Sequence, residues 1–148
     1  RKWGVWNYFN RRPLLVKGGD PSAGGWSYGG GLRPSNNNAN NHVGILHGLA
    51  EENTRVMFFQ QTSQNIGSGG GIGRNSIGWN STTVSSGYKG VVAAATGNVD
   101  SSGPAALFDQ IPVLGMHKAQ ALEENVSLSG IGWGGSEPNF MLTAAWNG

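Results

Sequence analysis

The sequence predicts an all-β protein, a jelly-roll-like β-sandwich with an extended N-terminal arm. Two observations carry that expectation. Apolar residues recur at alternate positions in several short runs, and glycine, asparagine, serine or proline punctuates the gaps between those runs. A run of small residues at 93–95 adds room for a second sheet or a second subunit to approach closely.

Residues 1–41 read as the arm. They mix Trp3, Trp6, Tyr8, Phe9, Trp26 and Tyr28 with Gly-Gly, Asp-Pro and an asparagine cluster, all breakers of regular structure. Only "PLLVK" has the makings of a short strand. Aromatic side chains without periodicity cannot bury one another in such a segment, so they are expected to dock into a groove on the same molecule or on a neighbour.

Residues 42–148 read as the β-domain. "RVMFFQQ" (55–61) is apolar on both alternating faces, the pattern of a strand covered on both sides. "NSIGWNSTTVSS" (75–86) sets Ile77 and Trp79 on one parity and Val84 on the other. "YKGVVAAATG" (88–97) opens β-branched and ends on glycine, and "NVSLSG" (125–130) alternates Val126 and Leu128 with polar residues. "NFMLTAAWNG" (139–148) alternates Phe140, Leu142, Ala144 and Trp146 with Met141, Thr143 and Ala145. "VGILHGLAEEN" (43–53) and "MHKAQALEENV" (116–126) use good helix formers, and periodicity leaves each open between short helix and strand.

Composition narrows the class. At 148 residues the chain is about one domain, and charged residues are only 12% of it, about half the usual quarter. Twenty-six glycines with many Asn, Ser and Thr supply polarity without charge, which suits display, lectin-like contact or self-association. Six Trp, three Tyr and five Phe speak for a folded protein. The absence of cysteine excludes disulfides, thiolate metal sites and cysteine nucleophiles, so oligomerisation is the expected source of added stability. No apolar run approaches the roughly 20 residues of a helical span, so no membrane insertion is expected. No signal peptide is visible, and a start at Arg1 reads as a piece excised from something longer.

The net charge of +2 hides an asymmetry. Residues 1–33 hold six cations against one carboxylate, and residues 34–148 hold four cations against seven carboxylates. The basic arm therefore reads as a tether, with Arg1, Lys2, Trp3, Trp6, Arg11 and Arg12 as its attachment residues meeting acidic surface on a neighbour. Nucleic-acid binding is the weaker alternative, since no recognised RNA- or DNA-binding signature accompanies the charge.

Motifs for chemistry are scarce. "GSGGGIGRNSIGWNSTT" (67–83) lacks the lysine and spacing of a phosphate loop and runs into a strand, so it reads as a glycine-rich hairpin or bulged loop with Arg74 and Asn75 exposed. Asn98, Asp100, Ser102 and Asp109 fall at calcium-loop spacings, but position 1 is not Asp, position 12 is not Glu and Pro104 follows the bend. A polar turn is the better account, and no metal or other cofactor is expected. His42, His47 and His117 have no zinc-site spacing, the eight carboxylates read as solvated loop charges, and no nucleophile elbow is present. The chain is expected not to be an enzyme. A glycan site would use aromatic faces and amides. Trp133, Trp79, Asn80 and Tyr88 are its candidates, with Trp133 best placed for exposure in "GIGWGGSEP". Asn80 and Asn125 also sit in formal glycosylation sequons.

"IGRNSIGWNSTT", the closing "NFMLTAAWNG" and the arm-plus-β-domain layout resemble virion structural proteins of tailed bacteriophages, fibre tips and head-decoration proteins above all. The resemblance implies a non-enzymatic homo-oligomer, preferably a trimer, on a virion or cell surface. It also implies an N-terminal segment that attaches to other structural subunits. It carries over no individual residues. The alternative from another class is a carbohydrate-binding adhesin or receptor-binding module.

Overall fold

The computed structural model describes residues 13–20, 24–48, 53–64, 71–94, 99–101, 105–111, 113–126, 131–135 and 139–147. Within them the chain is almost wholly strand: β1 Pro13–Gly18, β2 Trp26–Tyr28, β3 Arg33–Pro34, β4 His42–His47, β5 Thr54–Gln60, β6 Thr62–Gln64 and β7 Gly71–Trp79. There follow β8 Ser86–Ala94, β9 Val99–Ser101, β10 Ala105–Gln110, β11 Gly115–Asn125, β12 Ile131–Trp133 and β13 Phe140–Asn147. A single 3-10 turn, Ser35–Asn37, is the one helical element among the described residues. No described helix is long and apolar enough to cross a membrane.

Nine strands form one curled antiparallel sheet in the order β1-β13-β5-β10-β8-β7-β11-β3, with β4 sharing the β3 side of β11. β10 and β8 meet at one registered pair, Leu107 opposite Tyr88, and there the sheet turns on itself. The front limb, β1, β13, β5 and β10, faces the back limb, β8, β7, β11 and β4. The core drawn from both includes Val56, Phe58, Phe108, Phe140, Leu142 and Trp146 from the front, with Val43, Ile45, Ile77, Ala119 and Ala121 from the back. This is the all-β sandwich that the sequence predicts.

A second sheet, β2-β12-β6-β9, covers the far end of the back limb. Gly73 of β7 has the same parity as Ile77 and lies under it. A methyl group there would meet Ile131 Cδ1 at 2.8 Å and the Trp133 ring at 3.2 Å, so any larger residue would displace them. At Gly87, where the chain enters β8, φ is +74°, a left-handed value that other residues resist.

The two ambiguous stretches resolve as strands. Residues 42–47 pair along β11, and β11 itself is laddered on both edges, by β4 and β3 on one side and β7 on the other. Two-sided hydrogen bonding and burial outweigh the helical preference of Leu, Ala, Gln and Glu. The strand expected over 75–86 ends instead at Trp79, because Asn80 takes φ 53° and residues 80–85 turn away. Val84 is accordingly exposed in that turn.

Residues 1–12 and 21–23 lie outside the described residues, but 13–20 and 24–41 are woven into both sheets. β1 pairs with β13, β2 with β12, and β3 with β11. "PLLVK" forms the expected strand, and Trp26 packs against the core of its own chain.

Candidate functional site

The four candidate glycan residues do not share a surface. Trp133 is 2% exposed, contrary to its expected exposure, because β12 is laddered by β2 on one side and β6 on the other and seats its indole over Gly73. Trp79 is half-buried with its ring already engaged, stacked on Phe108 at 4.7 Å and on His117 at 4.9 Å. Asn80 is tied to β11: its Oδ1 accepts from Lys118 N (2.9 Å) and its Nδ2 lies 3.0 Å from His117 Nδ1. Only Tyr88 stands free, 77% exposed on the outer face of the sheet. An open cleft of about 440 Å³ beside Asn80 is lined by Ser81, Thr82 and Lys118, with no aromatic platform.

The amides of both sequons are engaged, Asn125 Nδ2 donating to Tyr28 O at 2.9 Å. Asn75, expected exposed, is buried on the inner face of β7, while Arg74 points outward to Glu124. The attachment residues Arg1, Lys2, Trp3, Trp6, Arg11 and Arg12 lie outside the described residues, as do Asn98 and Ser102. Asp100 belongs to β9, and Asp109 is paired with Arg55 on the outer face of β10. Among the described residues no three His, Asp or Glu side chains converge as metal ligands.

The fold brings two of the three histidines together. His47 and His117 meet edge to face at 6.5 Å, both buried, with His47 Nε2 2.7 Å from Thr54 Oγ1. The amide of Asn80 fixes the His117 tautomer. Since Asn80 Oδ1 accepts from Lys118, its Nδ2 must donate to His117 Nδ1, and His117 Nε2 then donates to Val113 O at 2.6 Å. This bond fastens the β10–β11 connection, where Ile111, Val113 and Leu114 stand exposed, as does Met116 at the start of β11.

Glu123 corrects the reading of the carboxylates as solvated charges. Its side chain is fully buried on the inner face of β11. Trp26 Nε1 donates to its Oε2 at 2.8 Å, while Arg33 Nε and Nη2 donate to Oε1 at 2.8 and 2.7 Å. The Arg33 guanidinium also stacks 3.4 Å over the Tyr28 ring, so the acidic partner of this arm arginine lies in its own chain. Burial pushes the Glu123 carboxyl above its ordinary 4.5, against the lowering pull of Trp26 and Arg33. Asp20 is likewise buried, accepting from Asn41 Nδ2 at 2.5 Å.

The strongest candidate site is the outer face of the front limb. Strand register sets Lys17, Thr143, Met57, Leu107 and Tyr88 in one row across β1, β13, β5, β10 and β8. A second row holds Leu15, Ala145, Arg55 and Asp109, and a third Met141, Phe59 and Ala105. Leu15, Met57, Tyr88 and Met141 are all exposed. Lys17 and the Arg55–Asp109 pair, 2.9 Å apart, are the only charges in these rows. The two-faced apolar pattern of 55–61 was the sequence signal for this face. Val56 and Phe58 fill the core, while Met57 lies on the outer face, 46% exposed, with no described segment over it.

No family model matches the chain, and no curated protein and no solved structure shows a significant match to it. Among the described residues, fold and site together define an all-β sandwich whose front limb carries an exposed, largely apolar outer face.

Proposed function

We propose that this chain is a non-enzymatic structural protein of a virion or comparable surface assembly, built to associate with copies of itself and anchored by its N-terminal segment. The observation that carries this reading is the apolar outer face of the front limb. An antiparallel sheet facing water presents alternating polar residues on that side. Here Leu15, Met57, Phe59, Leu107, Tyr88 and Met141 occupy those positions. Exposed apolar patches of several hundred Å² mark interaction surfaces. The low charge of the whole chain suits packed assemblies of many copies.

The test is mass in solution. Light scattering at tens of micromolar should return a multiple of the 15.5 kDa chain mass, and a monomer there overturns the reading.

A further inference from the structure

We infer that a second copy of this chain covers the outer face of the front limb, in a two-fold pairing whose axis runs along the strands between β5 and β10. This rests on the self-association proposed above and commits it to one surface and one symmetry. Charge complementarity singles out that axis. Arg55 and Asp109 sit directly opposite each other in adjacent strands, one cation and one anion at the same level. A two-fold axis between those strands places Arg55 over the partner's Asp109 and Asp109 over the partner's Arg55. Each guanidinium then lies between two carboxylates and each carboxylate between two guanidiniums, with no like charges facing.

The same operation matches shape. Met57 and Leu107, paired across β5 and β10, fall on the partner's Leu107 and the partner's Met57, and Phe59 falls on the partner's Ala105. Thr143 of β13 and Tyr88 of β8, two strands apart on either side of the axis, exchange likewise. Large side chains therefore meet smaller ones where Phe59 faces Ala105 and where Tyr88 faces Thr143, as interdigitation requires of sheets about 10 Å apart. A two-fold axis makes each contact occur twice, so one favourable pairing is counted on both sides.

Extent sets strength. Five strands at about 4.8 Å by five residues at about 3.3 Å make roughly 400 Å² of face. A standard interface buries about 800 Å² per partner, so the pairing is weak and concentration-dependent. It yields dimers or even-numbered assemblies in place of an isolated trimer.

Sedimentation of the full chain from low to high micromolar concentration tests this, beside Met57→Lys, Tyr88→Lys, Arg55→Asp, the swap Arg55→Asp with Asp109→Arg, and Val113→Lys as a control at the end of the sandwich. Far-UV circular dichroism checks that each variant folds. The expected result is a monomer–dimer equilibrium in the native chain, shifted at least tenfold toward monomer by Met57→Lys, Tyr88→Lys and Arg55→Asp. The charge swap should recover dimer, and Val113→Lys should leave it unchanged. A trimer, or a dimer indifferent to Met57→Lys and Tyr88→Lys, overturns the two-fold pairing while leaving self-association standing. A native chain that stays monomeric overturns both.

Discussion

The two limbs of the large sheet treat their outer faces differently. Over the back limb the chain drapes its own loops. Gln120 Nε2 donates to Asn41 O at 2.8 Å and Lys118 Nζ to Ala39 O at 3.1 Å, which holds the asparagine-rich segment down. The 80–85 turn closes over Gly78, which also touches Leu122. What remains in view there mixes charge and apolar surface: Arg74 and Lys89 both reach Glu124, while Leu46, Met116 and Val91 stand exposed. Over the front limb nothing described crosses, and the side chains in view are mostly apolar. Among the described residues, asparagine-rich segments lie over part of one outer face and none lies over the other.

Leu122→Ala against Met57→Ala should separate the two faces most. Leu122 is fully buried although it points away from the core, so its truncation should cost about 3 kcal/mol in urea unfolding. Met57→Ala should stay within about 0.5 kcal/mol for the monomer. Equal costs would mean that the front face is covered within a single chain.

Arg33→Ala should rank next, costing about 3 kcal/mol at neutral pH because it strands the Glu123 carboxylate in the interior. Its pH dependence has a definite sign. Burial raises the Glu123 carboxyl above 4.5, so the folded chain holds that proton more tightly than the unfolded chain does. Stability from this group is full below about pH 4.5 and is lost as pH rises through the raised value. Glu123→Gln should remove that decline from the pH profile of the unfolding midpoint, and the Arg33→Ala deficit should shrink in acid.

Asn80→Ala should cost about 1–2 kcal/mol, from a left-handed backbone and two lost hydrogen bonds that hold the turn on β11. Asn80→Gly should lose less, since it keeps the backbone freedom, and thermal melts can rank the two. Lys89→Ala should be smallest, under about 0.5 kcal/mol and vanishing in high salt.

The front limb was the more legible half. Strict alternation in 139–148 reproduces the inward Phe140, Leu142, Ala144 and Trp146 of β13, and the two-faced run at 55–61 announced a strand needing cover outside. The back limb hid itself because β11 is specified by its neighbours. Its Ala, Gln, Leu and Glu residues favour helix locally, and only pairing on both edges makes them strand. The Glu123–Arg33 pair spans 90 residues and the Glu123–Trp26 bond 97, separations at which sequence spacing carries no signal. Trp133 misled for a related reason: glycines around an aromatic read as a loop, yet here they give a close-packed strand room. The left-handed asparagines at 36, 37 and 80 were recognisable as breakers, but the surfaces they let the chain cover were not.

The crease where Leu107 meets Tyr88 is a single rung between two otherwise well-laddered limbs. Amide protons of β8 facing β10 thus have little to shield them, and deuterium should reach this line before it enters β13 or β11. If a neighbouring molecule lies over Tyr88, that early labelling should slow as concentration rises, turning the thinnest seam of the sheet into a gauge of how crowded the protein is.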